Sequence, residues 1–64
     1  MYKIEKMTFQ KGRVVVTDTL DGETNTVDLW NALDFIESQP RHKRVDLRLA
    51  FGSFLGVSPS LLKR

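Results

Sequence analysis

The chain has 64 residues, with ten Lys or Arg against eight Asp or Glu, one histidine and no cysteine. Disulfides are thereby excluded, and a structural zinc site, which takes about four nitrogen or sulfur ligands, nearly so. No strictly apolar run exceeds three residues, whereas a secretory leader needs about 7 to 15 and a membrane span about 20, so a cytoplasmic protein without a membrane partner is expected.

A domain this short buries only about 60% of the surface its unfolded chain exposes, which makes self-association or tight packing necessary. One domain over residues 1–64 is the expectation. Charge is divided along the chain: residues 1–36 carry four basic and six acidic side chains, and residues 37–64 carry six basic and two acidic. A basic C-terminal half suits a polyanionic partner.

In chain order, Tyr2 and Ile4 alternate with polar neighbours, and Met7 and Phe9 resume the alternation one residue out of phase. This pattern predicts a strand over residues 2–9 with a bulge near Glu5 and Lys6. Gly12 turns the chain. Val14, Val15 and Val16, followed by Thr17 and Thr19, are β-branched and predict a second strand over 13–20. Asp21-Gly22 suits a two-residue type I′ hairpin turn, which returns the chain as a third strand over 23–27.

Asp28 is placed to cap a helix over 28–38, in which Leu29, Ala32, Leu33 and Ile36 form one apolar stripe flanked by Trp30 and Phe35. Pro40 ends it. Residues 45–51 fit two patterns, since Val45, Leu47, Leu49 and Phe51 alternate as in a strand while Leu47, Ala50, Phe51, Phe54 and Leu55 follow helical spacing. The count favours a helix over 46–55 with Asp46 as N-cap, and a strand there would instead add a fourth member to the sheet. Gly56 then closes the helix in the left-handed conformation, and Ser58-Pro59 opens a last helical segment over 58–63. The fold class expected is α+β: a three-stranded antiparallel sheet (2–27) covered by a helix (28–38) and C-terminal helical segments (46–55, 58–63).

Catalytic chemistry has no foothold in this sequence. His42 has no orienting carboxylate nearby in the chain, no serine lies in a nucleophile elbow, and no glycine-rich phosphate loop is present. Asp18, Asp21 and Glu23 lack the ligand alternation of a calcium loop. No catalytic residue, cofactor or metal is therefore expected, and the protein reads as a non-enzyme.

Binding residues are easier to nominate. Arg41, His42, Lys43 and Arg44 form a dense basic cluster in a predicted loop after Pro40, suited to phosphates. With Lys63 and Arg64 they are expected to make one basic face opposite the acidic hairpin of Asp18, Asp21 and Glu23. Trp30 and Leu49 lie off the main apolar stripes and are candidate partner-binding residues, with a two-fold homodimer as one expected outcome.

Gly52, the turn glycine Gly56, the flanking Leu55 and Val57, and the run Ser58-Pro59-Ser60-Leu61-Leu62-Lys63-Arg64 together resemble part of a helix-turn-helix DNA-binding motif. The resemblance covers residues 48–64. It implies a close helix crossing at Gly52, Leu62 facing inward, and Ser58 and Ser60 offered to a phosphate or base edge with Lys63 and Arg64 supplying charge. Two functions follow as expectations. One is a small nucleic-acid-binding regulatory protein, for example a DNA-binding regulator of transcription. The other is a protein-interaction factor of the small phage or mobile-element kind that binds and modulates a larger host protein.

Overall fold

A computed structural model describes residues 1–63. Three strands, β1 (Tyr2–Lys6), β2 (Arg13–Asp18) and β3 (Thr24–Asp28), form an antiparallel sheet in sequence order. A 3-10 turn (Leu29–Asn31) leads into α1 (Ala32–Ser38), then α2 (Arg41–Leu55), then a second 3-10 turn (Pro59–Leu62). The protein is thus α+β, with the helices layered on one face of the sheet.

Alternation along β2 sets that layering. Val14, Val16 and Asp18 are buried, and across the ladder Val16 stands opposite Ile4 and Asn25 while Val14 stands opposite Lys6 and Val27. Against this face pack Ala32 and Ile36 of α1, Leu47 and Phe51 of α2, and Leu62, which completes a core of eight buried apolar side chains. Phe35 meets Phe51 edge to face with ring centroids 6.5 Å apart, a favoured aromatic geometry. The opposite face presents Lys3, Glu5, Val15, Thr17, Thr24 and Thr26, largely polar, as expected of an antiparallel sheet covered on one side only.

Several boundaries differ from the sequence reading, each for a local reason. β1 stops at Lys6 instead of running to residue 9. After Met7 N donates to Arg13 O, residues 8–12 turn, with Gly12 at φ 79°, and Phe9 is left 96% exposed. β2 stops at Asp18 because the Oδ1 of that residue accepts from Leu20 N at 2.9 Å and folds Thr19 and Leu20 into the turn. The hairpin is not a two-residue type I′ turn. Only Gly22 within it has positive φ, and Asp18 N bonds Glu23 O across residues 19–22. Thr19 N and Oγ1 both donate to Met1 O, tying the start of the chain to this turn.

Asp28 is positioned as a cap but makes no side-chain capping bond; its carboxylate instead accepts from Arg13 Nε at 2.7 Å, and the helix starts as a 3-10 turn. The 45–51 segment is helical, and α2 begins five residues earlier than predicted. Pro40, extended at ψ 149°, is its N-cap and Pro40 O accepts from Lys43 N, so Asp46 lies inside the helix and Arg41–Arg44 form its first turn rather than a loop. Gly56 does adopt the left-handed conformation (φ 74°), and Val57 N returns to Gly52 O. The final segment is a single 3-10 turn, and Ser58 Oγ engages Ser60 Oγ at 3.0 Å rather than the turn's backbone.

Candidate nucleic-acid interface

Placing Arg41–Arg44 on a helix separates side chains that are adjacent in sequence. Arg41 and His42 are exposed. Lys43 turns to the sheet, with Nζ 3.8 Å from Asp18 Oδ2, and Arg44 donates through Nε to Gln39 O while its Nη1 lies 3.9 Å from Glu37 Oε2. Arg48 Nη2 reaches the other oxygen of the same carboxylate at 3.5 Å, and Arg48 Nε is buried with no hydrogen-bond partner among the described residues. Lys43 and Arg44 lie in the first turn, at the positive end of the α2 dipole, an unfavourable position that the Asp18 and Glu37 carboxylates offset.

The Lys43–Asp18 contact corrects the expected charge layout. The basic cluster adjoins the acidic hairpin instead of lying opposite it. Burial first, and then the carboxylates of Asp18, Asp21, Asp46 and Glu23, push the Tyr2 phenol above its ordinary value, which marks this end of the sheet as the acidic one. Lys63 sits with Val45, Arg48, Leu49, Pro59 and Ser60 around a groove of about 250 Å³ beside α2. Arg64 lies outside the described residues.

Strand register puts a different basic surface opposite the acidic hairpin. Lys6 pairs with Val14 at one end of the ladder and Tyr2 with Asp18 at the other, so the β1–β2 turn and the acidic turn are at opposite ends of the sheet. At the β1–β2 end, Lys6, Met7, Gln10, Lys11 and Arg13 line a groove of about 280 Å³ closed by Leu29. Arg13 is held from two sides, by Asp28 Oδ1 at 2.7 Å and by Gln10 Oε1 at 2.9 Å. Trp30 is 75% exposed, with the edge of its indole against Gly12, and Phe9 on the same turn is almost fully exposed. One exposed ring, Phe9, thus stands on the turn that carries Lys11, and another, Trp30, lies against Gly12 of the same turn, with Lys6 and Arg13 at the turn's ends.

The sequence carried a signal for this surface, since Lys6, Phe9, Lys11 and Arg13 fall within eight residues. Extending β1 through Phe9 concealed it by assigning that ring to the sheet. Comparison of the chain with protein families, curated proteins and solved structures finds no match. Function must therefore be argued from the surfaces themselves. Among the described residues no cluster of three or more His, Asp or Glu is arranged to hold a metal, and no helix is long and apolar enough to cross a membrane.

A second surface is apolar. Val45 and Leu49, one helical turn apart on α2, are 58% and 54% exposed. Leu49 forms a ridge between the groove near Lys63 and a larger one of about 500 Å³ lined by Met1, Tyr2, Asp46, Leu49, Ala50 and Ser53. Both partner-binding candidates, Trp30 and Leu49, are thus exposed, on different elements.

Proposed function

We propose that this protein is a non-enzymatic nucleic-acid-binding domain that holds single strands at the β1–β2 end of its sheet. The observation that carries the reading is the grouping of Trp30 and Phe9, both open to solvent, with Lys6, Lys11 and Arg13. Single-stranded nucleic acid is bound by aromatic rings on which bases stack and by cations that follow the backbone, a combination that duplex DNA with its stacked interior cannot exploit. Arg13 is fixed by Asp28 and Gln10, and because Asp28 already offsets its charge, Lys6 and Lys11 are assigned the main electrostatic part in this reading. A role for Arg41, His42 and Lys63 is secondary, as a continuation of positive charge along α2.

The test uses the only tryptophan of the chain. Trp30 emission should be quenched on titration with an unstructured oligothymidylate and far less with a duplex of equal length. Affinity for the single strand should fall with salt by about 0.7 in the log–log slope per neutralised phosphate. Equal or stronger duplex binding, with Trp30 emission unchanged, would remove this reading. It would then favour a regulator that reads duplex through Ser58, Ser60 and Lys63.

A further inference from the structure

We infer that a second copy of this chain occupies the Val45–Leu49 face of α2, in an antiparallel, two-fold pairing centred on Leu49. Arg41, Lys43, Arg44 and Arg48 crowd the N-terminal half of α2, no acidic residue stands in its first turn, and no basic residue stands in its last. Residues 49–57 carry no charge at all. Both helix ends are therefore mismatched to their own dipole, the positive end bearing cations and the negative end bearing none.

Within the chain, Asp18 and Glu37 answer Lys43, Arg44 and Arg48, but Arg41 and His42 stay exposed. An antiparallel copy resolves both mismatches together. With Leu49 on the dyad, Val45 of one protomer falls opposite Ser53 of the other, and Arg41 falls beside the partner's Gly56 and Val57, where the last carbonyls of α2 concentrate negative potential. A parallel arrangement would set Arg41 against Arg41 and is disfavoured by the same charges. The shape allows it: Leu49 is a ridge between two grooves, and with Leu49 on the dyad the two ridges meet each other at the centre while the flanking grooves face the residues beside the partner's ridge, a self-complementary contact. Ser53 and Ala50 keep the neighbouring surface low enough for close helix approach.

Sedimentation equilibrium across micromolar to submillimolar protein tests the association, and Leu49→Asp, at an exposed site, tests the face. The wild-type chain should form a dimer, and Leu49→Asp, with an unchanged circular dichroism spectrum, should weaken it at least about 100-fold. A wild-type chain that is monomeric throughout, or a folded Leu49→Asp variant that dimerises equally well, overturns the inference. Orientation is tested by cross-linking, because the chain has no native cysteine. Under mild oxidation Leu49→Cys should link to itself, and Val45→Cys should link to Ser53→Cys in a mixture but not to itself. Self-linkage through position 45, or a dimer that links at neither 49 nor the 45–53 pair, contradicts the antiparallel arrangement.

Discussion

The indole of Trp30 rests on the backbone of Gly12, so closely that a Cβ on residue 12 would stand 3.2 Å from Trp30 Cζ3. One glycine thus serves two needs, a left-handed turn at φ 79° and a floor for an otherwise exposed ring. Leu29 N donates to Gly12 O at 2.7 Å and holds the two segments together. Gly12→Ala should cost about 1 to 2 kcal/mol from the left-handed conformation and displace the ring, shifting Trp30 emission. Urea denaturation followed by fluorescence checks both, and native-like emission with full stability would show that the contact does not position Trp30.

Gly52 makes a sharper case, because helix propensity and packing pull in opposite directions. In an exposed helix, Gly→Ala would stabilise by about 1 kcal/mol. Here a Cβ would meet the backbone carbonyl of Val57 at 2.8 Å and the Pro59 ring at 3.4 Å. The carbonyl belongs to a turn pinned by Val57 N to Gly52 O and has little room to yield. Gly52→Ala should therefore destabilise by about 1 to 3 kcal/mol. Gly56→Ala, with open space but φ 74°, should show only the conformational cost of about 1 to 2 kcal/mol. A stabilised Gly52→Ala variant would mean that the last turn does not pack against α2 as described.

Tyr2 supplies a prediction in alkali. Its phenol is raised by burial first and by the Asp18, Asp21, Asp46 and Glu23 carboxylates after it. The native state thus holds its proton more tightly than the unfolded chain. The associated stability is complete below the unfolded value near 10 and is lost as pH rises through the higher native value. As the only tyrosine, its ionisation can be followed by tyrosinate absorbance. The native midpoint should lie above the midpoint in urea, and Asp21→Asn should lower it without abolishing the difference, since burial is the larger cause. Coincident native and unfolded midpoints would contradict the packing of Tyr2 against the acidic turn.

The layering of the fold was legible because Val14, Val16 and Val27 on the strands and Ala32, Ile36, Leu47 and Phe51 on the helices obey their element's period. Gly22 and Gly56 likewise marked left-handed positions correctly. The errors came where a side chain had a choice of partner that local sequence does not record. Asp28 could cap a helix or meet Arg13 across the ladder, and it meets Arg13. Asp46 looked like an N-cap because Arg41–Arg44 looked like a loop. Yet a proline can close the N-terminus of a helix itself, and long-range carboxylates at Asp18 and Glu37 make a cationic first turn tolerable. Strand register, invisible in sequence, then decided which cations oppose the acidic hairpin.

The most direct test compares the two basic surfaces. Binding of a labelled oligothymidylate should be measured by fluorescence anisotropy, at fixed low salt, for the wild-type chain, for Phe9→Ala with Trp30→Ala, for Lys6→Ala with Lys11→Ala, and for Arg41→Ala with Lys63→Ala. Loss of base stacking is worth about 1 to 3 kcal/mol per base, so removing both aromatic rings should weaken binding at least about thirtyfold with the salt slope kept. The Lys6 and Lys11 pair should weaken binding and flatten that slope by about 1.4, while the Arg41 and Lys63 pair should change affinity far less. If the Arg41 and Lys63 pair abolishes binding while both β1–β2 variants, folded, bind as the wild type does, the nucleic-acid surface is not at the β1–β2 end of the sheet.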